Sequence, residues 1–257
     1  MLEQGTLLAA DGTELAYARN TGRLPAVVFL GGFRSDKTGI KASYLESWCR
    51  ARHQAFVRFD YAGHGASGGE FEEGTIGRWA GDALAVIDML TEGRTILVGS
   101  SMGAWIMLEA FLVRPARIGA LVGIAAAPDF TEDLLWDSWP EAKRAALLRD
   151  GVVVEPSVYD PAGYPITRAL IEDGRARLRL RGRIPFQGPV RLLHGMADMA
   201  VPWQTSLRLA EAMESEDVRL HLLKDGDHRL SRDGDLVLLG RTLSGLLGED
   251  GGKPLTP

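Results

Sequence analysis

Two periodicities alternate along this chain. Short runs rich in aliphatic and β-branched residues recur at 25–30, 55–60, 95–98, 120–125, 189–194 and 218–223. Runs of this length between turn residues read as strands, and the near-continuous ones as strands buried on both faces of a parallel sheet. Between them lie stretches of helical spacing at 43–52, 77–90, 104–112 and 235–247, the second with apolar positions at Trp79, Ala83, Val86, Ile87 and Leu90. Residues 5–18 read as a hairpin about Asp11-Gly12, a strong turn dipeptide. The alternation predicts an α/β fold: a mostly parallel central sheet with helices on both faces.

One interval breaks the rhythm. Residues 130–189 pass without a core strand–helix unit, too long for a structureless loop in a compact domain. Helix-like stretches at 140–149 and 166–175 flank the β-like Val152-Val153-Val154, and Phe130, Trp136 and Trp139 crowd the start. The expectation is a small cap (lid) inserted between strands, with 1–129 and 190–257 as the core and 248–257 as a loose tail.

Composition narrows the class. The chain has 257 residues, 46% of them hydrophobic, enough for a buried core. A net charge of −5 with signs mixed along the chain gives no electrostatic footprint for nucleic acid. The basic cluster at 175–183 reads as a solvated helix face or helix exit. Cys49 is the single cysteine, which excludes a disulfide framework and a cysteine-based metal site; it reads as a small buried hydrophobe. The N-terminus shows neither a secretory nor a transit pattern, and no apolar run approaches the length of a membrane span. A cytoplasmic protein without stable membrane insertion is expected; the sequence does not set its oligomeric state.

The chemistry concentrates at Gly99-Ser100-Ser101-Met102-Gly103, between the run at 95–98 and the helical stretch at 104–112. Strand, tight turn and helix around G-x-S-x-G form a nucleophile elbow with Ser101 at its tip; the alternative is an ordinary turn serine. A serine hydroxyl needs a base, and the base an orienting acid, in the chain order Ser, acid, His for this kind of elbow. Asp198, in His194-Gly195-Met196-Ala197-Asp198, follows the run at 189–194, and His228, in Gly226-Asp227-His228, follows the run at 218–223. All three then lie at the carboxyl ends of strands, where open parallel sheets collect functional groups. Asp129 is the rival acid because it too ends a strand, and Asp227 neighbours the base. The other histidines read as structural: His53 at a helix end, His221 mid-strand, His194 in the turn leading to Asp198, and His64 packed in a glycine-rich loop. Oxyanion donors are expected from the Met102 N–H, at a helix start, and the Phe33 N–H, in the loop Gly31-Gly32-Phe33-Arg34.

The segments FVRFDYAGHGASGG, ILVGSSMGAW, RLLHGMADMAVPW, GDHRLSR and GGFRSD resemble those of α/β-hydrolase serine esterases and thioesterases. More narrowly, the chain is similar to the group of palmitoyl-protein thioesterases that also act on acyl glucuronides, over about residues 25–247. The resemblance implies Ser101 as nucleophile, Asp198 as acid and His228 as base. It departs at Gly31-Gly32, where many relatives carry His-Gly. A serine hydrolase of carboxylic esters or thioesters is therefore expected, needing no cofactor and no metal. Its partner would be a small-molecule ester or acyl thioester, with substrate contacts at Gly32, Trp136, Trp139 and Trp203. A C–C bond hydrolase, a serine peptidase and a non-enzymatic ligand receptor on the same scaffold are the alternatives.

Overall fold

The computed structural model describes residues 2–157 and 161–248. The chain opens with β1 (Leu2–Leu8) and β2 (Glu14–Asn20), hydrogen-bonded antiparallel. Their turn is held where Asp11 accepts the Thr13 N–H at 2.9 Å and Gly12 takes a φ of +85°. Next come β3 (Arg23–Leu30), α1 (Ile40–Ala51), β4 (Gln54–Phe59), α2 (Ile76–Leu90), β5 (Thr95–Ser100), α3 (Met102–Val113) and β6 (Ile118–Ile124). A helical turn at Thr131–Trp136 leads into α4 (Glu141–Asp150), β7 (Val152–Glu155), β8 (Tyr164–Thr167) and α5 (Arg168–Arg175). Then β9 (Val190–Gly195), α6 (Gln204–Ala212), β10 (Val218–Leu223) and α7 (Asp233–Leu246) complete the order.

Eight strands form one sheet in the order β1-β2-β4-β3-β5-β6-β9-β10. Within this sheet, among the described residues, only the β1–β2 and β2–β4 pairings are antiparallel. The pleat explains the near-continuous apolar runs. Along β3, Val28 and Leu30 join a cluster with Trp79 and Met107, while Val27 and Phe29 join a second cluster with Leu45 and Leu243. Alternate side chains thus face α2 and α3 on one side and α1 and α7 on the other, and Pro25–Leu30 is apolar at every position because both faces are covered.

Helix α3 is buried along Met102–Phe111 because it lies between the sheet and the 130–189 excursion. Trp105 packs edge-on against Phe130 and donates its indole N–H to Arg177 O at 3.1 Å. The arginines at 175–183 lie at the exit of α5, half-exposed, and four of them are paired. Arg175 pairs with Glu132 and Arg177 with Asp173; Arg179 pairs with the buried Glu109 of α3, and Arg181 with Asp133. The cluster fastens the excursion to α3 and to itself.

One local boundary shifts. The helix placed at 166–175 begins at Arg168, because Tyr164–Thr167 pairs antiparallel with Val152–Glu155. Thr167 then caps α5, its hydroxyl accepting the Leu170 N–H at 3.1 Å. Helix α6 was not anticipated. The tail expected at 248–257 lies outside the described residues except for Gly248. Cys49 is buried, and no helix among the described residues is long and apolar enough to cross a membrane.

Candidate active site

Ser101 sits between β5 and α3 with φ 55° and ψ −119°, a backbone conformation that is strained for a residue with a side chain. The surroundings hold it there. Its N–H donates to Ile124 O at 2.8 Å, and its carbonyl accepts the N–H groups of Ala104 and Ala127. The flanking glycines are steric requirements: a Cβ on Gly99 would come within 2.5 Å of Gly103 O, and one on Gly103 would collide with Leu30 O. Strand and helix therefore approach as closely as the turn demands.

The loops after β9 and β10 are laced together. Met196 N–H donates to Leu223 O at 2.8 Å and Ala197 N–H to Gly226 O at 3.0 Å. This lacing sets His228 beside Asp198. His228 Nδ1 lies 2.7 Å from Asp198 Oδ2, and His228 Nε2 lies 3.2 Å from Ser101 Oγ. The structure thus joins Ser101, His228 and Asp198 in one hydrogen-bonded line. Asp227 faces away, its carboxylate accepting the Leu230 N–H at 3.0 Å.

Asp198 is held from several sides. Its Oδ1 accepts the N–H groups of Ala200 and Val201, each at 2.8 Å. Its Oδ2 also lies 3.2 Å from Nε2 of the buried His194. That nitrogen also faces Val201 O at 3.1 Å, so it faces only acceptors and carries the proton. His194 Nδ1 then accepts from Ser206 Oγ at 2.6 Å. Burial pushes the Asp198 carboxyl up, but hydrogen bonds from His194, His228 and Val201 outweigh it and hold the pKa well below 3.8. Sequence placed His194 in the turn before Asp198, but nothing in the chain pointed to Ser206 behind it.

The rival Asp129 does other work. Its fully buried carboxylate accepts the N–H groups of Arg179 at 2.7 Å and Leu180 at 2.9 Å. It latches the end of the excursion to the core, and burial raises its pKa against those two bonds.

A cleft of about 970 Å³ opens over Ser101 and His228. Gly32, Phe33 and Met102 line it, and a Cβ on Gly32 would stand 3.5 Å from Ser101 Cβ. The Met102 N–H is the first of α3, where no intrahelical acceptor exists. The apolar wall comes from Phe33, Ile40, Met102, Met199 and Val201 on the core and from Phe130, Leu134, Leu135, Tyr164 and Ile166 on the excursion. The expected contacts at Trp136, Trp139 and Trp203 need correction, since none belongs to the lining. Trp136 stacks under Arg175, Trp139 is buried with its indole N–H on Glu155 at 2.9 Å, and Trp203 opens α6. Aromatic content alone could not separate packing residues from wall residues. Arg34, Lys41 and Arg229 give the cleft a cationic side; burial lowers the Lys41 pKa to about 8 against the pull of Asp227. Among the described residues no group of three His, Cys, Asp or Glu is arranged to hold a metal ion.

The sheet order, the elbow at Ser101 and the loops that bring Asp198 and His228 to it define an α/β hydrolase. A model of the "Alpha/beta hydrolase family" matches residues 27–238, and the chain belongs to that family. Within it, the chain is 41% identical to "Palmitoyl-protein thioesterase ABHD10, mitochondrial" of Mus musculus, over 91% of this chain and 78% of the relative. The solved structure "Alpha/beta hydrolase domain-containing protein 10 from mouse" superposes with a TM-score of 0.89 at 39% identity, covering 96% of this chain and 99% of that one. A hydrolase structure from Agrobacterium vitis S4 gives 0.91 at 41% identity, with coverages of 95% and 98%.

Proposed function

We propose that the chain is a serine hydrolase that cleaves ester and thioester bonds through an acyl-enzyme on Ser101. The observation that carries this reading is the hydrogen-bonded line Ser101–His228–Asp198 beneath the cleft. Ser101 Oγ attacks the acyl carbon while His228 Nε2 takes its proton. Asp198, ionised and rigidly held, keeps the His228 proton on Nδ1 and stabilises the imidazolium that forms. The N–H groups of Phe33 and Met102 receive the oxyanion, each worth roughly 3–4 kcal/mol of transition-state stabilisation. His228 then protonates the departing alcohol or thiol. A water deprotonated by the same imidazole releases the acid and restores Ser101.

The substrate follows from the wall and from the relatives. Residues 130–189 act as a cap: five of their apolar side chains close the cleft over Ser101, a lining suited to an acyl chain rather than a polar group. The mouse relative's name makes it a palmitoyl-protein thioesterase, and long-chain acyl thioesters are the class we assign here, with acyl glucuronides, on the sequence resemblance alone, as a second substrate. The cytoplasm is the compartment we propose, from the sequence pattern; the mouse relative is named as mitochondrial.

The test is turnover of p-nitrophenyl esters from acetate to palmitate, beside a palmitoyl thioester. Wild type is expected to turn over all of them, and Ser101→Ala to lose about three orders of magnitude or more in kcat with its circular dichroism unchanged. Comparable rates in the two proteins would overturn the reading.

A further inference from the structure

The loop Gly31-Gly32-Phe33-Arg34 must present the Phe33 N–H to the acyl oxygen, yet its two glycines carry no side chains with which to brace it. From within, Ser35 closes the turn: its hydroxyl donates to Gly32 O at 2.7 Å and its N–H to the same oxygen at 3.2 Å. From outside, the brace comes from the next strand's loop. The Arg34 N–H donates to His64 Nε2 at 3.2 Å.

The state of that imidazole is over-determined. His64 Nδ1 lies 3.2 Å from Ala62 O, which can only accept, so Nδ1 carries the proton and Nε2 presents its lone pair to Arg34. Ala62 is itself fixed, its N–H on Asp82 Oδ2 at 2.8 Å and its carbonyl also taking the Trp79 indole N–H at 3.1 Å. The ring is 4% exposed and meets Tyr61, Phe71 and Trp79 edge to face at centroid distances of 5.6, 5.1 and 5.2 Å. Burial lowers the His64 pKa from 6.5; Asp60 pulls the other way and Arg34 reinforces the fall. Phe33 rests on the same rings, 4.9 Å from Phe71 and 5.8 Å from Trp79. Farther along, Asp60 ties the two loops together again, accepting from Lys37 Nζ at 2.8 Å and Ala66 N–H at 2.9 Å.

We propose that His64 is the positioning residue of the oxyanion loop: by accepting the Arg34 N–H it fixes the peptide next to Phe33, and so aims the Phe33 N–H at the acyl oxygen. The inference rests on the serine-hydrolase reading above. His64 touches no reacting atom; it acts through the loop. Its loss therefore costs transition-state stabilisation and leaves ground-state binding alone.

The test compares His64→Gln with His64→Asn. A Gln carboxamide reaches the place of Nε2 and still accepts from Arg34; an Asn carboxamide reaches only the place of Nδ1 and keeps the Ala62 contact alone. On p-nitrophenyl butyrate, His64→Asn is expected to lose about ten- to hundredfold in kcat with KM within about threefold, and affinity for a trifluoromethyl ketone to fall in step. His64→Gln is expected to stay within about threefold of wild type in both. Equal kcat in the two variants, or a loss carried by KM, would overturn the proposal, because a purely structural histidine predicts one of those. Should His64→Asn prove insoluble, His64→Gln carries the test: inhibitor affinity near wild type supports the proposal, and a loss of tenfold or more contradicts it. Ser101→Ala runs in the same assay, so failure of the hydrolase reading appears in that pair and failure of the His64 role in the other.

Discussion

At Asp198 a single carboxylate oxygen lies 2.7 Å from His228 and 3.2 Å from His194, while the other takes two main-chain N–H groups. Such a carboxylate has one orientation and stays ionised well below pH 3.8, so its hold on His228 does not vary through the neutral range. An amide in its place would break that logic, since an NH₂ turned toward His228 Nδ1 forces the proton to Nε2, where it cannot accept from Ser101. Asp198→Asn is therefore expected to cut kcat by about three to four orders of magnitude. Asp129→Asn, which disturbs the N–H groups of Arg179 and Leu180 and the ion pair with Arg181, is expected to stay within about tenfold of wild type on p-nitrophenyl acetate. The reverse ranking in steady-state rates would identify Asp129 as the acid. Sequence position separated these two carboxylates only by which strand each follows; what Asp129 binds became visible once the excursion lay against it.

At the scale of elements, α2 carries a buried charge with a consequence for stability. Burial raises the Asp82 pKa from 3.8 to about 6 in spite of the bond from Ala62 N–H; Asp11 adds to the rise and Arg78 opposes it. The folded chain then holds this proton more tightly than the unfolded chain. Stability from this group falls as pH climbs from about 4 to about 6, and the cost persists above that. Asp82→Asn keeps an acceptor for Ala62 without the charge. Its Tm is expected to gain on wild type between pH 4 and about pH 6 and to hold that gain above; a wild-type advantage that widens with pH would contradict the assignment. The central strands were legible because both faces of the sheet are covered there, which makes β3, β5 and β6 largely apolar. The β7–β8 pair was half hidden. Tyr164–Thr167 contains Pro165 and runs directly into α5, so its pattern merges with the helix, and only pairing with Val152–Glu155 separates the two. Helix α6 is short, and three buried side chains, two of them polar, leave little apolar stripe to read.

Over the whole molecule, the sheet delivers Ser101, Asp198 and His228 at strand ends, while the excursion's side of the apolar wall comes from residues far from Asp198 and His228 in sequence. The catalytic side of the site was readable because motif and strand end coincide at each of its residues. The binding side was not, because Phe130, Leu134, Tyr164 and Ile166 become a wall only after the excursion folds back, held by Asp129 and the Arg179–Glu109 pair. Trp136 and Trp139 looked equally suitable in sequence and are spent on packing against Arg175 and Glu155. The proposed mechanism turns on passage of the acyl group through Ser101. Its most direct test is rapid quenching of the protein during the first turnover of p-nitrophenyl palmitate, where the activated leaving group lets acylation outrun deacylation, followed by peptide mass analysis. One palmitoyl group is expected on the peptide bearing Ser101, and none in Ser101→Ala. Release of p-nitrophenol at the wild-type rate with that peptide unmodified, or with the acyl group on another residue, would contradict it.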